Sequence, residues 1–174
     1  MDQEFVILVN ERDEEIGAME KMQAHVSGRL HRALSVFIYN NEGKWLLHKR
    51  AEHKYHSAGL WTNTCCSHPR QGESTLEAAH RRLQEEMGMS CMLDHRFSFI
   101  YKAELDHDLT EHELDHVFVG HSSEIPVPNK DEVSDWRYVT SDELKAEIER
   151  SPASFTEWFK IIYPKLIEEM VTHD

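Results

Sequence analysis

The sequence predicts an α+β sandwich with helices on the faces of one sheet, and two observations carry that prediction. Short apolar-rich runs bounded by turn residues stand on both sides of one central helical segment, and further helical segments close the chain. The central segment opens on a capping box and ends on a glycine, which marks it as a helix independently of its periodicity.

In order along the chain, residues 34–39 and 45–48 flank Asn40-Asn41-Glu42-Gly43 and read as a β-hairpin, with Gly43 supplying a positive φ at the turn. From Ser74 the period changes. Ser74-x-x-Glu77 is the capping box, Leu76, Ala79, Leu83 and Met87 recur at helical spacing, and Gly88 stops the run. Residues 97–105 and 113–120 read as strands separated by the charged segment 106–111, and 136–139 as a short strand. A second capping box, Thr140-x-x-Glu143, opens a helix with Leu144 and Ile148 on one face. Ser154-x-x-Glu157 opens a last helix that is expected to be interrupted near Pro164. No internal repeat, low-complexity tract or linker is visible.

The 174 residues, 40% of them hydrophobic, suffice for one ordinary core, so a single domain over 1–174 is expected. A formal charge of -13 and a pI near 5.4 argue against nucleic acid and anionic membranes as partners, because both demand a basic footprint. An anionic substrate would need a local basic pocket or metal ions. The N-terminus carries Asp2 and Glu4 ahead of a short apolar run from Phe5 to Val9, without the basic and hydrophobic regions of a signal peptide, and no stretch has the length of a membrane span. Three cysteines, two of them adjacent, make a poor disulfide framework and suit a reducing cytoplasm. Thirteen histidines make a metal site worth seeking without locating one.

The central helix carries Glu77/Arg81, Arg81/Glu85 and Arg82/Glu86, each pair four apart and so neighbours on its surface. Such spacing describes a salt-bridged solvent face as readily as a divalent-metal and diphosphate site. Read in full, Ser67-x5-Glu73-x7-Arg81-Arg82-Leu83-Gln84-Glu85-Glu86-Met87-Gly88-Met89 resembles the Nudix box, with two departures. Ser67 replaces the initial Gly, and Arg82 replaces the Glu that follows the Arg. Nudix hydrolases use that Glu, so the resemblance with this departure implies diphosphate binding without cleavage. The segments Trp61-Thr62-Asn63-Thr64-Cys65-Cys66-Ser67-His68-Pro69 and Glu111-His112-Glu113-Leu114-Asp115 are similar to the two signature segments of the type I isopentenyl-diphosphate isomerases, a Nudix-fold family. The likeness runs from about Asn10 to Phe159.

The resemblance implies a Nudix-like mixed-sheet α/β/α sandwich and the interconversion of isopentenyl and dimethylallyl diphosphate through a tertiary carbocation. Such chemistry needs an acid, a base, a wall that tolerates positive charge, and protection from water. Cys66 matches the family's essential cysteine and is expected to reach the thiolate state in an electropositive pocket; Cys65, one residue back on an extended segment, points the other way and is expected to be a small buried hydrophobe. Glu111 and Glu113, two apart, share a strand face. By the resemblance both are metal ligands, Glu113 also moves protons opposite Cys66, and His25, His31 and His68 complete the site. Mixed nitrogen and oxygen donors suit one Mn2+ or Zn2+. A Mg2+ ion would be held through the substrate diphosphate and Glu86. Lys21, Arg50, Lys54 and Arg82 are the implied diphosphate contacts. Tyr101 is implied to bond the catalytic carboxylate. Trp158 is implied to face the hydrocarbon, where its ring can stabilise a cation by about 2 kcal/mol or more when desolvated. A Nudix-type diphosphate hydrolase is the alternative, and the oligomeric state is not legible.

Overall fold

A computed structural model describes residues 4–173, so Asp2 lies outside the described residues. Nine strands form one mixed sheet: β1 (Phe5–Val9), β2 (Glu15–Glu20), β3 (His31–Tyr39), β4 (Trp45–Arg50), β5 (Trp61–Thr62), β6 (Cys65–Ser67), β7 (Leu93–Glu104), β8 (Thr110–His121) and β9 (Val133–Val139). The helices are α1 (Lys21–Ser27), α2 (Thr75–Met87), α3 (Ser141–Arg150) and α4 (Glu157–His173). None of them is long and apolar enough to cross a membrane.

β3 organises the sheet. Along one edge it runs parallel to β8, from His31 beside Glu113 to Tyr39 beside His121. Along the other it meets three partners in turn: β1 at His31, β6 at residues 34–36 and β4 at Tyr39. The expected hairpin is therefore corrected: the turn with Gly43 at φ 72° is present, but β3 and β4 pair only through Tyr39 and Trp45. Beyond that pair residues 61–67 enter between the arms. This segment pairs first with β4, through Trp61 and Thr62, and then with β3, through residues 65–67. At the crossing, Thr64 Oγ1 accepts from the Ile38 amide at 2.9 Å and donates to the Leu46 carbonyl at 2.7 Å. Asn63 Nδ2 donates to the carbonyls of Val36 and Cys65. Buried side chains thus replace the missing ladder bonds, which an interior demands of every polar backbone group.

Strand alternation divides residues between two cores. On one face Leu34, Val36, Ile38 and Phe118 pack with Cys65 against Ala78, Ala79, Leu83 and Met87 of α2. On the other Phe37, Val117 and Val119 pack against Leu144 of α3 and Trp158, Phe159 and Ile162 of α4. Each large apolar side chain so buried contributes on the order of 2 kcal/mol. Helix α2 has both halves of the Ser74–Glu77 capping box and a left-handed Gly88 at its end, where a β-carbon would meet Val127 O at 2.6 Å. Leu76 is exposed, a correction to its expected place on the buried face; Ala78 takes that place.

Other boundaries differ from expectation: β3 starts at His31, β7 at Leu93 and β9 at Val133, and β4 runs on to Arg50. β8 starts at Thr110 and so includes Glu111. The last helix begins at Glu157, capped by buried Thr156, whose Oγ1 accepts from the Phe159 amide, while Ser154 ends a short 3-10 turn. Thr156 also donates its amide to the Trp61 carbonyl, which ties α4 to β5. α4 passes through Pro164 without a break, because Pro164 is on the exposed side and the carbonyl it leaves without a donor can face water. β1, β2 and α1 were not anticipated from the sequence.

Candidate active site

The site lies where β3, β6 and β8 meet α1, α2 and α4. α1 is short, but both ends are closed: Glu20 accepts from the amides of Met22 and Gln23, and Gly28 adopts the left-handed conformation at φ 69°. Lys21 and His25, one turn apart, lie on the same side of it. His25 Nδ1 lies 2.8 Å from the Lys21 carbonyl, and His31 Nδ1 lies 2.8 Å from the Arg29 carbonyl. A carbonyl can only accept, so each Nδ1 carries hydrogen and each Nε2 is turned into the site.

Strand β8 supplies the carboxylates. Glu111, Glu113 and Asp115 alternate onto one face and are 6%, 4% and 1% exposed. Glu113 Oε2 lies 3.1 Å from His31 Nε2 and 2.8 Å from His68 Nε2. The Tyr101 hydroxyl lies 2.5 Å from Glu113 Oε1 and 2.7 Å from Glu111 Oε2, one proton for two carboxylates. Burial and the adjacent Glu113 charge raise the Glu111 carboxyl above its usual range. Burial acts on Glu113 in the same direction, but the hydrogen bonds from His31 and His68 hold it well below. Burial and Glu113 push Asp115, which accepts from Ser35 at 2.7 Å, well up. Three buried carboxyl groups on one strand face are costly unless positive charge is brought to them.

The donor set fits a divalent ion. The ligand atoms of His25, His31, His68 and Glu113 lie within 4.8 Å of one another, and those of His25, His56 and Glu111 do likewise. The buried His25 Nε2 has no hydrogen-bond partner, and at 3.8 Å from Glu111 Oε1 it is too far to make one. Burial lowers His68 to about 4 against the pull of Glu113, and burial with Arg50 lowers His56 to about 2, so both imidazoles are neutral and able to ligate.

Cys66, Glu113, Tyr101 and Trp158 line one cavity together with Lys21, Arg50, Lys54, Arg82, Glu86, Glu111 and His68. Cys66 faces the α4 side and Cys65 the α2 side, as alternation requires. One expectation about the cysteines is corrected. Burial and the Glu86 charge, opposed by Arg50, push the Cys66 thiol up. Cys65 is more than a small hydrophobe: its Sγ donates to Glu86 Oε2 at 2.6 Å. Arg50 stacks 5.1 Å over the Trp158 ring, so that ring already faces a cation.

Three of the four basic residues are matched by acids. Lys21 pairs with Glu4 at 2.7 Å, Lys54 with Glu132 at 2.5 Å, and Arg82 with Glu86 at 3.1 Å and Glu132 at 3.6 Å. Glu4 and Glu132 carry no signal of this in the sequence, being ordinary surface acids by pattern. On α2, Arg81 turns to Glu73 and Glu85 instead of Glu77, whose carboxylate accepts from the Ser74 amide. Sequence reasoning also missed Tyr55, His56 and Asp115. The alternation from Glu111 could have found Asp115; Tyr55 and His56 sit in a loop without periodicity.

The chain matches the NUDIX domain over residues 29–159. An isopentenyl-diphosphate Delta-isomerase of Pectobacterium atrosepticum is 50% identical over 161 residues, which cover 92% of this chain and 90% of that protein. One from Photorhabdus laumondii is 52% identical, covering 91% and 90%. Among solved structures, a Deinococcus radiodurans protein aligns at a TM-score of 0.76 with 20% identity, over 92% of this chain and 98% of that one. A MutT protein from Methanosarcina mazei aligns at 0.66 with 18% identity, over 80% and 94%. At that identity the last two attest the fold alone.

Proposed function

Because the chain belongs to the NUDIX family and, within it, to the isopentenyl-diphosphate Delta-isomerases, we propose that it interconverts isopentenyl and dimethylallyl diphosphate. The observation that carries this reading is the convergence of Cys66, Glu113, Tyr101 and Trp158 on one cavity beside a buried His/Glu cluster. The free cysteines suit a reducing compartment, and we assign the enzyme to the cytoplasm.

In the forward direction one proton adds to the terminal alkene carbon and one leaves the carbon on the diphosphate side of the resulting tertiary cation, so the formula is unchanged. Cys66 and Glu113 are the acid and base, exchanging roles with direction. Tyr101 bridges Glu113 and Glu111 and carries the proton between the carboxylates and the cavity. Trp158 faces the cation with its π surface, and its burial with Phe155 and Phe159 keeps water away. Lys21, Arg50, Lys54 and Arg82 hold the diphosphate, which for Lys21, Lys54 and Arg82 takes over the pairing that Glu4 and Glu132 otherwise provide.

His25, His31, His68, Glu111 and Glu113 would hold one zinc or manganese ion, and Glu86 with the substrate diphosphate would hold magnesium. A divalent ion among these side chains supplies the positive charge that three buried carboxyl groups require. Arg82, paired with Glu86, occupies the place where hydrolysis in this fold family needs a carboxylate.

Isopentenyl diphosphate and magnesium are incubated with the protein before and after chelation. We expect dimethylallyl diphosphate without phosphate release, loss of turnover in excess chelator, and its return with zinc or manganese plus magnesium. Phosphate release without the isomer would replace this reading with a hydrolase.

A further inference from the structure

His56 has no part in that mechanism. It lies in the loop between β4 and β5, 2% exposed, and its Nε2 has no hydrogen-bond partner. That nitrogen is 3.7 Å from Glu111 Oε1, and the equally unpartnered His25 Nε2 is 3.8 Å from the same oxygen. Neither distance is a hydrogen bond. Two buried imidazole nitrogens left without partners around one carboxylate oxygen call for something to satisfy them.

We propose that His56 is a fourth imidazole ligand of the divalent ion, joining the cluster from the Glu111 side. The proposal rests on the reading of His25, His31, His68, Glu111 and Glu113 as a metal centre, and it extends that ligand set.

The surroundings of His56 prepare it for this role. Its carbonyl accepts from Arg50 at 3.1 Å, and the next amide, of Ser57, donates to Asp106 Oδ1 at 2.9 Å, which ties the loop down on both sides of the ring. Tyr55 and Trp158 meet the ring edge-on at centroid distances of 4.3 and 5.6 Å and prevent it from swinging out. Its Nδ1 is 3.1 Å from Ser57 Oγ, a hydroxyl able to accept the Nδ1 hydrogen and so leave the lone pair on Nε2. The carbonyls of Lys21 and Arg29 do the same for His25 and His31.

With His56 the protein offers four imidazoles and two carboxylates, six donors in all. More protein donors would leave fewer positions for the bound water on which hydrolytic metal sites depend.

Metal-free wild type, His31→Ala, His56→Ala, His56→Gln and His53→Ala are each titrated with zinc against a chromophoric chelator and with cobalt by visible absorption. His53 is exposed in the same loop and serves as the control. We expect both His56 variants to bind zinc about a hundredfold more weakly, at or beyond the upper end of the loss on removing an outer-sphere partner, and to shift the cobalt bands, while His53→Ala does neither. Thermal melting of each metal-free variant shows whether it folds. Should a His56 variant fail to fold, the wild-type nitrogen resonance of His56 Nε2 replaces it: on zinc binding this must leave the range of a free imidazole. Unchanged affinity at His56, weakened affinity with an unchanged cobalt spectrum, or an unmoved resonance each overturns the proposal. If His31→Ala loses zinc while the His56 variants keep it, only the ligand assignment falls. If wild type binds no better than His31→Ala, the metal centre falls with it.

Discussion

The two acidic regions that border the cavity are neutralised by different means. On α2 the acids answer to guanidinium groups from the same helix: Arg81 pairs with Glu73 and Glu85, and Arg82 pairs with Glu86. On β8 the acids Glu111, Glu113 and Asp115 are hydrogen-bonded instead to imidazoles, a phenol and a serine hydroxyl, drawn from several separate segments. The helix carries cations of its own. The strand does not, and it is more deeply buried, so it is the region whose charge must be completed from outside. That difference separates the helix, proposed to hold the diphosphate end through Arg82 and Glu86, from the strand, proposed to move the proton.

The sharpest way to break the comparison is Glu113→Gln, which removes the acceptor shared by His31, His68 and Tyr101. Turnover of isopentenyl diphosphate should fall by roughly a hundred- to ten-thousand-fold, the value of a positioned acid or base. A variant within tenfold of wild type would mean that β8 is no more catalytic than α2.

The adjacent cysteines test the two faces at one stroke. Cys66→Ala should lower turnover by a similar roughly hundred- to ten-thousand-fold factor. Cys65→Ala should leave the folded enzyme active but lower stability by about 2 kcal/mol, because it removes a hydrogen bond to a buried carboxylate. Steady-state rates with the folded fraction measured by thermal melting separate these effects, and a dead Cys65→Ala would reverse the assignment.

Trp158 probes the wall opposite the strand. Trp158→Leu loses the π surface and about 2 kcal/mol of cation stabilisation, so turnover should drop by about thirtyfold, and Trp158→Phe should retain more. Equal rates for the two folded variants would reduce Trp158 to packing.

Arg81→Ala addresses the helix and should have the smallest effect. Its partly exposed pairs with Glu73 and Glu85 contribute about 1 kcal/mol or less, so a small change in denaturant midpoint and turnover within about twofold are expected. A large fall in turnover would move α2 into the chemistry.

Much of α2 and of the strand pattern was legible, because caps and periodicity act within a few residues. Ser74, Glu77 and Gly88 marked that helix, and the alternation through Glu111 and Glu113 marked one face of β8. Ser154 misled because it carries the same spacing as a capping box, whereas contact with Trp61 and Thr62 selects Thr156 two residues later. Pro164 misled because propensity alone cannot tell that Pro164 lies on the exposed side of α4.

The sequence by itself determined the fold class, the family resemblance and that two neighbouring cysteines face opposite ways, since these follow from residue order and the period of a strand; the resemblance pointed to Cys66 as the one toward the cavity. Only the tertiary structure decided that residues 61–67 divide the hairpin, that Glu4 and Glu132 pair with Lys21, Lys54 and Arg82, and that His56 stands beside Glu111. Those facts depend on long-range closure and burial: a polar group reveals its partner only when distant segments have excluded water around it, and local sequence carries no record of that exclusion.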